Sequence, residues 1–321
     1  MTLLKIPKGG AVSTLSPTRV PASGPKSRRR QSAHRGHATA AWLLIAPALI
    51  GFLVFAVYPT VRGTYFSFTT YHILSPAEWT GLANFRQMIH DPVFWHSLRA
   101  TLYFVVLSVT IGILVSLLTA VILHRLTRST VIRGLVILPF LISGVVAAVI
   151  WSWMLDPQLG IVNVAIKAVT GQRVEFLGSS ALAIPSVAMI SVWKSMGYNA
   201  VLIFAGLQTI PGEIYEAARL DGASEIRMFR HITVPLLRPI LAMVVILTVI
   251  SSIQVFDIVQ VATKGGPANA SNVLQMYIYD TAFSQYNFGY ASAMSLALFA
   301  MLTAITFIQL RVSRANESDT N

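Results

Sequence analysis

Residues 211 to 239 read Pro-Gly-Glu-Ile-Tyr-Glu-Ala-Ala-Arg-Leu-Asp-Gly-Ala-Ser-Glu-Ile-Arg-Met-Phe-Arg-His-Ile-Thr-Val-Pro-Leu-Leu-Arg-Pro, between hydrophobic runs on both sides. Eight of these 29 residues are charged, four acids (Glu213, Glu216, Asp221, Glu225) and four bases (Arg219, Arg227, Arg230, Arg238), in a chain that is otherwise largely apolar. Pro211 and Gly212 end the run before the stretch, and residues 213–220 suit two helical turns with acids near the positive N-terminal end. Gly222 supplies a turn of left-handed backbone, which other residues resist, so a second short helix is expected from about residue 223 to 231. Pro235 and Pro239 then redirect the chain into the next apolar run. The expected product is a helix-turn-helix bracket in which Ala217 and Ala218 allow another surface to approach closely. On physics alone, a solvated amphipathic loop is the competing reading.

The flanking runs set the class of protein. With 321 residues, 55% hydrophobic, 11% charged and a mean hydropathy of +0.66, the sequence is that of a polytopic, all-α membrane protein, not of a soluble globule. It contains no cysteine, which excludes disulfides, Cys metal sites and thiol chemistry. The net charge of +12 could suggest nucleic-acid binding, but eight of the 24 Lys and Arg residues lie in residues 1–40, which contain no acid. That segment reads as a disordered basic tail that orients the chain in the membrane, with nucleic acid not among the expected partners. The run Arg28-Arg29-Arg30 keeps an acidic-lipid or RNA contact as the minor alternative.

Six stretches are long and apolar enough to span a bilayer, near residues 41–61, 101–123, 134–154, 183–207, 240–261 and 290–310. The first has no small-residue cleavage site and reads as a spanning helix, not a removed signal peptide. The organisation expected is a tail at 1–40, a six-helix membrane domain at 41–311 and a C-terminal tail at 312–321. Placing the basic tail inside puts 17 Lys and Arg residues on the inner side and six on the outer, with the remaining one, Lys194, within the fourth span. This positive-inside asymmetry places both termini and the charged bracket in the cytoplasm. In the outer loops, 62–99 suggests a short surface helix among interface aromatics, and 161–169 suits an interfacial helix too short to span.

The bracket's residues have a family counterpart. Glu216-Ala217-Ala218, three residues, Gly222, nine residues, Ile232, two residues and Pro235 resemble the EAA loop of the inner-membrane permeases of ABC importers. Val234 stands where that family usually has Leu. Ala205 to Pro211, Phe256-Asp257, Thr263 to Pro267, Gly289 to Ala293 and Gly81 to Phe85 are similar to the carbohydrate-uptake branch, so the resemblance covers residues 41–311. The Gly-Gly-Pro at 265–267 favours the maltose-permease F or glycerol-phosphate-permease A type.

This resemblance implies a type I importer permease fold with six transmembrane helices in a bacterial or archaeal cytoplasmic membrane. It also implies three protein partners: a second homologous permease, a cytoplasmic ATPase dimer and an extracytoplasmic solute-binding protein. The coupling residues would be Glu216, Ala217, Ala218, Asp221, Gly222, Ile232 and Pro235, within a loop at 208–239. Glu216 would pair with a basic group of the ATPase. ATP and Mg would be used by that partner and no cofactor held by this chain, in keeping with a sequence that has no G-x-x-x-x-G-K-[ST] stretch.

A substrate path is harder to read. In the fourth span Ser191, Lys194, Ser195 and Tyr198 recur on one helical face. Lys194 lies about 20 Å along the helix from Leu207, and a charge at that depth costs at least about 2.5 kcal/mol, so it should face a polar cavity or a partner. The resemblance implies that this helix and the fifth supply contacts to the solute. The fifth offers Thr248, Ser251, Ser252 and Val255 on a stripe that could equally be small packing residues. Asp257 is a candidate counter-ion for Lys194, yet it points roughly opposite to Thr248 unless the helix unwinds nearby. In the third span Pro139 can kink the helix. Phe140 and Ser143 join the path candidates through the resemblance.

The solute implied is a sugar or sugar-like molecule, whether oligosaccharide, polyol or glycerol phosphate. A lone Lys194 would suit an acidic or phosphorylated sugar, while a structural pairing of that lysine is the alternative. Two other classes fit less well. An ion-coupled secondary transporter usually needs intramembrane carboxylates and only Asp257 is available, and the histidines are too dispersed for a membrane enzyme.

Overall fold

The structure, a computed structural model, describes residues 42–73, 75–126 and 129–318. The basic tail inferred at 1–40 lies outside the described residues. The chain divides into two compact units, one ending at Thr60 and the other starting at Val61. Residues Trp42–Ser67 are helical (α1), with a π-helical turn at Leu53–Val57. In the first unit, the Thr60 hydroxyl donates to the carbonyl of Ala56 at 2.7 Å.

The second unit is mostly helical. It opens with a two-stranded antiparallel ribbon, β1 (Thr69–Thr70) and β2 (Glu78–Trp79), which the hydropathy pattern gives no sign of. Helix α2 (Ala83–His90) is the expected short helix of the first long loop. Its buried Asn84 donates to the carbonyls of Ser67 and Thr69, both at 2.9 Å, and so fastens the loop to the end of α1's helical run. Asp91 then caps α3 (Pro92–Leu126), accepting from Val93 N–H at 2.8 Å with Pro92 at the first helical position. At 35 residues α3 is about 52 Å long, well beyond the hydrocarbon thickness.

One face of α3 carries Ser97, Thr101, Phe104, Ser108, Ser116, Ala120 and Leu123, spaced three or four apart or by multiples of four, and all are buried. Small residues at that spacing let helix backbones approach closely where lipid offers no hydrophobic drive. The partner is α7 (Ala183–Leu207), which packs along α3 more extensively than any other pair.

The third span differs from the single helix expected. It consists of α4 (Thr130–Leu141) and α5 (Gly144–Met154), bent by 95°. Pro139 sits inside α4 without ending it, and the break falls at Ile142 and Ser143, both extended. Ser143 makes the new start possible by accepting from Val146 N–H. Helix α6 (Ile161–Thr170) is the short apolar helix expected between the third and fourth spans.

After α7 come the bracket helices α8 (Gly212–Leu220) and α9 (Glu225–Leu236), then α10 (Arg238–Ile253). Helix α9 runs five residues past the expected end through a π-helical turn at Phe229–Thr233, and Pro235 lies within it. The redirection falls at Leu237, where the chain bends by 69° into α10. The fifth span is interrupted at Gln254–Phe256 and resumes as α11 (Asp257–Ala262). Helix α12 (Leu274–Tyr279) continues as a π turn, and α13 (Phe288–Ser318) closes the chain. Among the described residues, four helices are each long and apolar enough to cross a membrane, and counting each of the two bent pairs as one span brings the number to at most six.

Among the described residues, three buried clusters hold the second unit. Toward the bracket, Ala120, Leu123, Ile203, Phe204, Leu237 and Val244 join α3, α7 and α10. At the other end, Ala147, Ala148, Ile190, Ile258 and Val259 join α5, α7 and α11. The third, with Ile253, Leu274, Tyr290 and Met294, ties α10 and α12 to α13.

Candidate functional site

Two features collect most of the residues singled out in the sequence, the bracket and a cavity lined by α4, α7, α10 and α11. In the bracket, Gly222 has φ +75°, the left-handed conformation expected of it. Its N–H donates to the Arg219 carbonyl at 3.0 Å, and Ala223 N–H reaches back to Ala218 at 2.9 Å. These are the paired bonds of a Schellman cap, so Gly222 ends α8 and sets the direction of α9. Asp221 is the residue that terminates α8, and Ser224 starts α9 by accepting from Arg227 N–H. A hydrogen bond of 2.9 Å between the Tyr215 and Thr233 hydroxyls fixes the angle between the two arms.

The bracket displays a mixed surface. Glu216 and Ala217 are exposed, while Ala218, Ile232 and Pro235 are half-buried. At the tip, Leu220 and Ile226 are 90% and 81% exposed. Two apolar side chains are thus held out on a charged element, and neither was picked out from the sequence because each reads as an ordinary amphipathic-helix residue. Glu225 bonds Arg125 at the end of α3 (2.8 Å) and Arg219 on α8 (3.5 Å). This ion triad links the bracket to α3, a connection that no local pattern could reveal across a hundred residues. Between the bracket and the ends of α3 and α7 lies a cavity of about 410 Å³ lined by His124, Arg125, Tyr215, Glu216 and Arg219.

The second cavity, about 290 Å³, lies where the broken spans meet. Phe140, Ser191, Lys194, Ser195, Tyr198, Thr248, Ser252 and Asp257 all line it, from four separate helices. Ser143 does not line it, because its hydroxyl is used to cap α5. The interruption at Gln254–Phe256 resolves the conflict between Thr248 and Asp257. The chain leaves the helix after Ile253, and Asp257 comes to line the same cavity as Thr248.

The lining is aromatic on one side and polar on the other. Phe140 and Tyr198 stack with ring centres 4.4 Å apart and planes 13° apart, and Lys194 Nζ lies 5.4 Å over the Phe140 ring. Gly197 allows this stack, since a Cβ there would run into the Val136 carbonyl of α4. Across the cavity, Asn199 donates to the Thr248 hydroxyl at 3.2 Å, which itself donates to the Val244 carbonyl at 2.7 Å. Thr248 is therefore both a packing residue and part of the wall. Asp257 rests against Gly144, where a Cβ would overlap its carboxylate. Among the described residues, no ion pair within 4.0 Å joins Lys194 to Asp257. Asn199, Gln254 and Gly144 belong to this lining and were missed, as nothing in a single helical stripe shows what a break in a neighbouring span will bring alongside it.

The other stretches quoted in the sequence have structural work. Gly289 donates to Tyr71 O at 3.1 Å and lies so near Thr69 O that a side chain would collide with it, which brings α13 against β1. Tyr290 and Tyr277 each donate to Asp91 at 2.6 Å, tying α13 and α12 to the start of α3. Burial pushes the Asp91 carboxyl upward, but these bonds and the N–H groups of Val93 and Phe94 outweigh it and hold Asp91 below its ordinary value. The Ser271 hydroxyl donates to Thr263 and Gly266 and closes the Gly-Gly-Pro turn.

Comparison with known proteins gives a consistent picture. The family described as "Binding-protein-dependent transport system inner membrane component" matches residues 108–317. A probable ABC transporter permease protein, PH1215 of Pyrococcus horikoshii, is 35% identical over 283 residues, covering 86% of this chain and 96% of the relative. The sulfoquinovosyl glycerol transport system permease SmoG of Agrobacterium fabrum is 32% identical over 278 residues (86% and 90% covered). The trehalose/maltose transport system permease MalF of Thermococcus litoralis is 33% identical over 278 residues (85% and 93%). In fold, the chain is similar to one in the crystal structure of a bacterial ABC transporter involved in the import of the acidic polysaccharide alginate. The TM-score is 0.78 with 22% identity, over 89% of this chain and 99% of that one.

Proposed function

The chain belongs to the binding-protein-dependent transport system inner membrane components, the permeases of ABC importers, and from that premise we propose that its bracket is the element through which an ATPase drives transport. The observation that carries this is the Gly222-centred bracket itself, which holds Glu216, Leu220 and Ile226 out as a rigid, exposed set. Such a surface suits a cleft on a partner. The ATPase dimer on that side binds and hydrolyses ATP with Mg, and a second homologous permease completes the path. An extracytoplasmic binding protein delivers the solute. The 17 to 6 distribution of Lys and Arg supports a cytoplasmic bracket and cytoplasmic termini, in a bacterial or archaeal inner membrane.

The solute passes the cavity lined by Phe140, Ser191, Lys194, Ser195, Tyr198, Thr248, Ser252 and Asp257. A stacked aromatic wall facing hydroxyls and amides suits the apolar faces and hydroxyl groups of a sugar. The named relatives that transport trehalose/maltose and sulfoquinovosyl glycerol support a sugar-like solute as well. Asp221, Gly222, Ile232 and Pro235 act by shaping the bracket, and Glu216, Ala217 and Ala218 by meeting the ATPase.

The test is Glu216→Lys in the assembled importer. The complex should still reach the membrane, since Glu216 is exposed, while solute-stimulated ATP hydrolysis and uptake should both fall. Normal values of both in a correctly assembled complex would dismiss the coupling role.

A further inference from the structure

Two opposite charges, Lys194 and Asp257, line one cavity of about 290 Å³ without pairing at 4.0 Å or less among the described residues. Their surroundings differ. Asp257 lies against Gly144, the first residue of α5, in contact so close that no Cβ would fit between them. The start of an 11-residue helix carries roughly half a positive charge on its unpaired N–H groups, so the carboxylate sits at a complementary pole. Lys194 is in the interior of α7, 11 residues from its start and 13 from its end, so that helix's own poles are remote. Its ammonium is held by the face of Phe140 at 5.4 Å, a contact that steadies a cation without cancelling its charge. The hydroxyls and amides around it, from Ser191, Ser195, Tyr198 and Asn199, are neutral.

The cavity therefore holds one compensated carboxylate and one uncompensated ammonium. A lysine at that depth avoids this cost by pairing, and among the described residues Lys194 pairs with no carboxylate within 4.0 Å. We propose that the solute carries an anionic group, a carboxylate, sulfonate or phosphate ester, and that Lys194 receives it while the sugar ring lies along the Phe140 and Tyr198 stack. The inference rests on the reading of this cavity as the solute path. It makes Lys194 the residue that selects acidic over neutral solutes, with Asp257 held apart from the lysine by Gly144 and α5.

The absence of cysteine from the chain permits a test that does not require knowing the solute. In the assembled importer, Ser195→Cys and, separately, Ser191→Cys each place a single thiol in this chain, whose modification is followed by mass spectrometry of the chain. Each is treated with an anionic reagent, 2-sulfonatoethyl methanethiosulfonate, and with its cationic counterpart, 2-(trimethylammonio)ethyl methanethiosulfonate. Their rates are normalised to those with 2-mercaptoethanol in solution. Local charge of one sign in a low-dielectric cleft changes association rates by about 10-fold or more. The normalised ratio should favour the anionic reagent by about that factor. It should fall to parity on adding Lys194→Met and survive Lys194→Arg.

A normalised ratio near unity, or one that Lys194→Met leaves unchanged, overturns the inference and leaves the solute path standing. If neither thiol reacts with either reagent while Gln172→Cys, exposed in the loop after α6, does, the cavity is not water-accessible, and both the path and the inference fall. A ratio favouring the cationic reagent would make Asp257 the uncompensated charge and overturn the assignment.

Discussion

Substituting Gly222 in graded steps separates the geometry of the bracket from its mere presence. An added Cβ at Gly222 meets nothing within 4 Å, so crowding contributes nothing and only the backbone resists. With φ at +75°, an alanine there costs about 1–2 kcal/mol, but both cap bonds, Gly222 N–H to Arg219 and Ala223 N–H to Ala218, survive. That energy corresponds to about a 5- to 30-fold shift in the equilibrium between the capped turn and its alternatives. Asparagine tolerates the left-handed region better and should lie between glycine and alanine. Proline cannot adopt the turn at all. Its φ is fixed near −65°, and it removes the N–H that bonds Arg219, adding about 0.5–1.5 kcal/mol to the loss and pointing α9 elsewhere. The assay is solute-stimulated ATP hydrolysis and uptake by the importer in proteoliposomes, corrected for the amount of complex assembled. Coupling should fall in the order Gly, Asn, Ala, Pro. Equal coupling across the series would refute the bracket as the transmitting element. Equal loss in all three variants would show that the turn's backbone conformation is not what matters.

Three further outcomes follow from the same structure. Gly197→Ala sets a Cβ 2.8 Å from Val136 C, about 1 Å inside ordinary contact, so α4 must yield at about 1–3 kcal/mol; a lowered melting temperature together with weakened uptake is expected, and wild-type values of both would contradict the packing described. Arg125→Ala breaks the stronger arm of the Glu225 triad, but these side chains are about half exposed, so the loss of stability should be below about 1 kcal/mol and shrink further in high salt; a larger, salt-independent loss would mean that the pair is buried by a partner. Because Asp91 titrates below its ordinary value when folded, its bonds contribute stability that is present above the unfolded value of about 3.9 and lost as pH falls through the lower folded value. Asp91→Asn should therefore melt below the wild type at pH 7, with the gap closing under acid, and a gap independent of pH would exclude the carboxylate as its source.

Composition and spacing made much of this protein legible. The apolar runs marked the four helices long enough to span and the positions of the two broken runs, because lipid forces the backbone into helices whose lengths the bilayer sets. Gly222 announced its own turn, since few other residues occupy that region of φ. What escaped was whatever depends on two distant segments at once. Pro139 signalled a disturbance in the third span, but its position at 142–143 depends on Ser143 capping a new helix, a contact made only after the chain has already turned. In the same way, helical arithmetic kept Thr248 and Asp257 on opposite faces, and only the interruption at Gln254–Phe256 reunites them. The ribbon at β1 and β2 is two residues a strand, too short for periodicity, and is held by Asn84 from beyond it.

The two interrupted spans also change what motion would demand. Helices α5 and α11 pack on each other through one apolar cluster, whereas α4 leans on α7 and the bracket leads into α10. The joints between these groups are Ile142, Ser143 and residues 254–256, which lie between the helices and not within them. Widening or narrowing the aperture can then proceed by torsion at a few residues, with every helix intact on either side. A displacement begun at the bracket would arrive at the solute as a tilt of short rigid levers, and no long helix would have to melt for it to be felt.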